Sequence, residues 1–267
     1  AQLRGLTTTQ IDGLGTTQGS AQLRGLTTTQ IDGLGTTQLV ALTTAQVSAL
    51  TSTQLRALTT SDLDAFTTTQ FAAMTSGQLA SLTTTQVANL ETSDLAALST
   101  AQIRAFTSAQ MAAMDTSDLA ALTSAQLGAL TTAQVVALTT TQVAALDSSD
   151  LAALTSSQWR AMATDDIAAL TSTQISAITT GDLVALTGAQ LTAMGTTDFN
   201  AMGTTQFAAL TSGQINGLST AVIAAMETSD IAAFSTAGIR GLTTAQIQAF
   251  TTTQIQALET SDIAAMT

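Results

Sequence analysis

The chain has 267 residues, 45% of them hydrophobic, yet only 9% are charged and 3% aromatic, and proline, cysteine, histidine and tyrosine are absent. Its net charge is −12, from six arginines, no lysine and eighteen acids, so a nucleic-acid backbone or an anionic membrane surface would repel it. The apolar content points to a folded chain. No run of eighteen apolar residues offers a membrane span, no cysteine asks for a redox compartment, and no nucleophile–base pair suggests an enzyme or a cofactor.

Taken from the start, residues 1–18, AQLRGLTTTQIDGLGTTQ, recur unchanged at 21–38 with Gly19-Ser20 between them. The offset of twenty residues is not a whole number of the eight-residue units beyond it. Residues 1–20 are therefore read as a partial duplicate with a Gly-Ser joint, set apart from a single continuous array over 21–267. The chain begins at Ala1 and shows no signal-peptide pattern, which points to a fragment or a processed form.

From Leu26 to Ala265 the sequence divides into thirty octads without insertion or deletion, with the consensus L-T-T-x-Q-[LIV]-x-A. Position 1 is Leu, Phe, Met or Ile, and position 6 is always apolar. Position 3 is Ser or Thr except at Gly188, and position 5 is Gln or Asp except at Val222 and Gly238. Position 8 is nearly always Ala or Gly.

A period of eight belongs to neither helix nor strand, so two readings compete. In one, each octad is a short helix: Ser or Thr at position 2 caps it, and Gln or Asp at position 5 returns a bond to the cap, as in an S/T-x-x-E/Q capping box. In the other, the octads are rungs of a β-solenoid with stacked Thr and Gln ladders. The charges favour the helix. Arg4, Arg24, Arg56, Arg104, Arg160 and Arg240 all fall at position 7, near the helix end. Fifteen of the eighteen acids fall at positions 2, 4 or 5, at its start; Asp12, Asp32 and Asp64, at position 7, do not. A helix dipole favours that polarity and a β rung does not. Abundant alanine points the same way.

So short a helix is unstable alone, so neighbouring octads must share a core, with small position 8 allowing close approach. The expected fold is all-α: an α-solenoid of very short capped helices, one per octad. Asp at position 5 recurs from Asp118 onward at multiples of sixteen residues, which suggests pairing of octads into 16-residue hairpins.

Five acidic pairs are candidate sites: Glu91/Asp94, Asp115/Asp118, Asp147/Asp150, Glu227/Asp230 and Glu259/Asp262. Carboxylates three residues apart can bind calcium weakly, or can serve the helix start as cap and box partner. Calcium loops gather more oxygens around a glycine turn, so capping is the favoured reading. Regular threonine rows can order water as an ice-binding surface does, or simply cap and solubilise. Trp159 stands at position 6 and is expected to fill the core.

The unit LTTAQV-x-AL, seen from Leu42 to Leu50, resembles the first helix of TAL-effector repeats, L-T-P-E-Q-V-V-A-I. The likeness implies a helix; it does not bring DNA binding, because the second helix, the base-reading loop and basic charge are missing. The whole array also resembles the octapeptide repeat regions of large secreted or cell-surface bacterial adhesin-like proteins. That resemblance implies an extracellular, non-enzymatic stalk, spacer or self-assembling filament segment, associating end to end or laterally. The alternative is a ligand-binding solenoid surface for ice or calcium.

Overall fold

The computed structural model describes residues 21–266, and the expected duplicate at residues 1–20 lies outside them. The described residues form a succession of helices of four to six residues, from Thr28–Asp32 to Thr260–Ala265, one per octad. No strand occurs among them. The chain divides into two compact units, which meet in sequence at Leu138 and Thr139.

The local cause of most of the helices is the capping box. Thr43 is extended (φ −69°, ψ 158°), and its hydroxyl accepts from the Gln46 backbone N–H at 3.3 Å. The Gln46 Oε1 accepts from the Thr43 N–H at 2.7 Å, so two otherwise orphaned donors are satisfied by one another's residues. The helix Thr44–Ala49 comes next and stops where Leu50 returns to the extended region (φ −58°, ψ 141°). The same box recurs along both units; Gly35 and Gly203, lacking a side chain, keep only the half in which Gln accepts from the cap N–H.

Positions 6 and 1 fill the core. Leu55, Ile103 and Leu183 at position 6 are fully buried, and Leu58, Phe106 and Leu186 at position 1 nearly so. Positions 2 to 4, the first turn of each helix, mostly face solvent.

The expected 16-residue hairpins do not form; each helix packs on the third one along. Within the first unit, Thr28–Asp32 packs on Ser52–Ala57, which packs on Ser76–Ser81. Within the second, Thr140–Ala145 packs on Thr164–Ala168, which packs on Gly188–Ala193. The octads therefore wind as coils, three octads and three helices to the coil. The physical reason lies at the corners: positions 1 and 2 are both extended, so the chain turns a corner rather than reversing, and three corners bring it back above its start.

Glutamine joins one coil to the next. Its Oε1 is already held by its own cap, and its Nε2 carries two N–H donors. Gln126 Nε2 donates to the carbonyls of Leu95 at 2.9 Å and Leu98 at 2.7 Å, which are 31 and 28 residues back, at the corner of the coil below. The same pair of bonds is made in the first unit by Gln54, Gln70, Gln78, Gln86, Gln110 and Gln134. In the second unit Gln190, Gln206, Gln214, Gln246 and Gln254 make it. A side chain expected to serve only its own cap is thus also buried between coils, with Gln126 only 2% exposed.

Two smaller contacts complete the seam. Polar residues at position 7 donate to a position-8 carbonyl 25 residues ahead: Arg24 to Ala49 at 2.9 Å, Ser48 to Ala73 at 2.6 Å, Asn200 to Ala225 at 3.0 Å. Position 8 itself lies against position 3 of the coil below. A Cβ on Gly217 would stand 3.0 Å from the Gly188 Cα, and one on Gly241 would overlap the Ser212 backbone. The expectation that small position 8 permits close approach holds, with the neighbour one coil away rather than next in sequence.

One corner departs from the pattern. Met194 is αR and Gly195 left-handed (φ 75°), so the helix Gly195–Phe199 starts one residue early. The position from which a Gln would donate to the Met194 carbonyl is occupied by Val222. This corner lacks those donors and has a glycine at position 195 that permits the left-handed conformation; the corner at Leu210, whose rung is Gly238, lacks the donors too but has no such glycine and stays extended.

Two measurements test this scheme. Gln126→Met keeps the side chain's length but leaves buried backbone groups unpaired, and is expected to cost about 3 kcal/mol, read as a lower urea midpoint; an unchanged midpoint would show that the amide contributes nothing. Gly195→Thr is expected to cost about 1–2 kcal/mol in the parent chain, and markedly less when combined with Val222→Gln. Additive effects in that cycle would break the link drawn between the two residues.

Candidate functional site

The position-5 rung is where the octads differ chemically, so it is the place to seek a site. Where Gln becomes Asp, the side chain is shorter and, when ionised, has acceptors only. Its link to the coil below changes accordingly. The carboxylate accepts from the position-3 hydroxyl 26 residues back: Thr140 to Asp166 at 3.1 Å, Ser156 to Asp182 at 3.0 Å, Ser172 to Asp198 at 2.7 Å.

The acidic pairs lie at helix starts. Asp115 accepts from the Asp118 N–H at 2.8 Å, and Asp118 accepts from the Asp115 N–H at 3.0 Å, a complete box of two carboxylates. Asp147 and Asp150 repeat it at 2.8 and 3.2 Å. The glutamate pairs do half of this. Asp230 and Asp262 accept from the N–H of Glu227 and Glu259 at 3.2 and 3.1 Å, but neither Glu side chain caps its helix. Glu91 likewise makes no cap bond, and its neighbour Ser93 donates to it at 3.4 Å. The extra methylene of Glu sets its carboxylate beyond the reach at which Asp, Ser or Thr cap.

Burial shapes the acidity of these groups. Desolvation pushes Asp118, Asp150 and Asp230 above the usual carboxylate range, and the charges of Asp115, Asp147 and Glu227 add to it, while the backbone bonds from those residues act against it. Asp94, only 3% exposed, is pushed up to about 6, first by burial and then by Glu91 and Asp64, although a bond from Thr68 opposes the shift. Exposed Asp147 goes the other way, held down first by the Ser149 hydroxyl at 2.6 Å. Among the described residues no group of three or more carboxylates is arranged to hold a metal ion. Within the pairs the carboxylate oxygens that bond are spent on backbone N–H groups and on the hydroxyls of Thr68, Ser93, Ser149 and Ser229.

Elsewhere the structure places the expected residues as follows. Trp159 is 1% exposed in the core, as expected of position 6; its indole N–H has no partner. Arg56 and Arg160 stand in the last turn of their helices, and Arg104 and Arg240 at the C-cap of theirs. A shallow groove of about 400 Å³ lies in the first unit beside Arg24, Ser48, Thr51 and Gly77. No helix among the described residues is long and apolar enough to cross a membrane. Sequence reasoning missed the donor role of position-5 Gln; its near-invariance across octads was the available signal.

These features are those of a repeat, and comparison agrees. Residues 41–46 read ALTTAQ. The family model described as ALTTAQ repeat matches residues 19–52, 47–84, 87–117, 111–148, 143–180, 175–212, 183–220 and 223–260. A search of curated proteins gave no match. The eight matches together take in most of the chain, which belongs to the ALTTAQ repeat family.

Proposed function

We propose that this chain is a non-enzymatic structural element: a stalk or spacer at a bacterial cell surface, or a segment of a self-assembling extracellular filament. The observation that carries the reading is uniformity. Gln78 in the first unit and Gln246 in the second bridge to the coil below with bonds of 2.7–2.8 Å, and octad after octad spends its polar groups on the same bonds. An enzyme needs a place where the pattern is broken to gather unlike groups. Here the breaks, at Gly195, Val222 and Gly238, bring in no reactive side chain. Acidic, lysine-free composition supports solubility and mutual spacing rather than a grip on nucleic acid. In a solenoid each added coil adds its own stability and its own increment of reach, as a spacer requires.

The proposal is tested by displaying a reporter domain on a cell surface behind this chain, and behind versions from which one, two or three whole coils are removed. Access of an antibody to the reporter is expected to fall with each coil removed; equal access for all lengths would exclude the spacer reading. Sedimentation of the purified chain over a wide concentration range separates filament segment from spacer, since only the former grows with concentration.

A second reading rests on the exposed first turns. Position-3 hydroxyls repeat from coil to coil, with Gly188 the exception, on first turns that mostly face solvent, as an ice-binding surface would need. Thermal hysteresis in solutions of the chain would favour it, and none at millimolar concentration would remove it.

A further inference from the structure

Most Asp rungs have a Gln rung one coil before and after. Asp150 and Asp198 lie two coils apart, and between them stands Gln174, whose amide donates to the Leu146 carbonyl at 2.6 Å. Asp94 and Asp118 are the exception: they are a single coil apart and stand on helices, Thr92–Ala97 and Thr116–Ala120, that pack on each other. Two successive seams of the first unit therefore have a carboxylate where an amide donor would be. Below them, Gln70 on Thr68–Ala72 bridges normally, to Leu39 at 2.9 Å and Leu42 at 2.6 Å.

The charges around Asp94 are all of one sign. Its own helix start carries Glu91, the helix Thr60–Asp64 carries Asp62 and ends in Asp64, and the next coil brings Asp115 and Asp118. The helix beneath, Thr68–Ala72, carries no charged residue, and none of these helices carries an arginine. Both Asp94 and Asp118 are 3% exposed, so water does little to screen them.

We infer that Asp94, with Asp64, Glu91, Asp115 and Asp118 around it, is a proton-operated latch in the first unit: proton uptake at Asp94 tightens the seams that ionisation loosens. Ionised, the carboxylate can only accept, as it does from Thr68. Protonated, it keeps an acceptor oxygen and gains an O–H donor, the combination that Gln offers at the other rungs. Protonation also removes one of the like charges. The raised acidity range of Asp94, Asp118 and Asp64 accords with this. For an acid whose proton is held more tightly in the folded state, stability falls as pH rises through the window between the unfolded value, near 3.8, and the folded one, about 6 for Asp94. The latch is closed in mild acid and open at neutral pH.

The test uses the full chain. The Asp94 side-chain carboxyl carbon, followed by NMR, is expected to titrate near pH 6, and Glu91→Gln is expected to move that midpoint down; a midpoint in the ordinary carboxylate range for the parent chain overturns the proposal. Urea midpoints at pH 5 and pH 7.5 give the second arm. Asp94→Gln is expected to raise the midpoint at pH 7.5 and to shrink the difference between the two pH values. A variant that retains the parent's full pH difference places the effect at other carboxylates and sinks the latch.

Discussion

A single amide group decides how this chain can fold. A helix of six residues has almost no bonds of its own, and its two large apolar side chains do not offset the entropy of ordering an octad. The octad survives because Gln closes both ends of the problem. Its carbonyl oxygen satisfies the cap of its own helix, and its two N–H groups satisfy carbonyls at a helix end one coil below, as Gln126 does with Thr123, Leu95 and Leu98. Each buried amide is thereby fully used, which is the condition under which a buried polar group stabilises a fold. The three-helix coil is its consequence, because only a register of three octads sets position 5 above the corner it must reach.

The parts of this scheme that are local were legible in the residues. The capping box, the core roles of positions 1 and 6, the smallness of position 8 and the charge polarity along each helix all derive from contacts inside an octad or from side-chain size. The coil closure was not legible, because its acceptors are backbone carbonyls, which every residue has and no residue type announces. The Asp spacing was visible but pointed to the wrong pairing. Intervals of sixteen carry Asp150, Asp166 and Asp182 onto three different columns of stacked helices, and Asp198 returns to the first column only two coils on, so that these like charges do not meet across one seam. The pattern reflects separation of charge, not pairing of octads. The same blindness applies to the candidate site: the acidic pairs were found, but the burial of Asp94 against Glu91 and Asp64 depends on which octads stack.

Rungs that lack the amide reveal what it contributes. Where Val222 replaces it, the corner at Met194 and Gly195 leaves the extended conformation. At Gly238 the space of a side chain is taken by Ile215, whose terminal carbon would lie 2.7 Å from a Cβ there. Asp keeps the corner in shape by a different route, accepting from a position-3 hydroxyl, which gives one physical use for the near-invariance of Ser and Thr at that position.

A solenoid built this way has properties that differ along its length only through such substitutions. Each coil interacts with its immediate neighbours, so stability is a sum of similar terms and a local change is not shared by the whole. A uniform run of Gln rungs repeats the same link at every coil. In the proposed latch, the stacked carboxylates Asp94 and Asp118 make a place where the solvent's acidity acts on two successive seams, without any departure from the octad frame. The economy of the repeat and the opportunity for local control therefore come from the same position, where amide and carboxylate differ by a methylene and by the ability to donate.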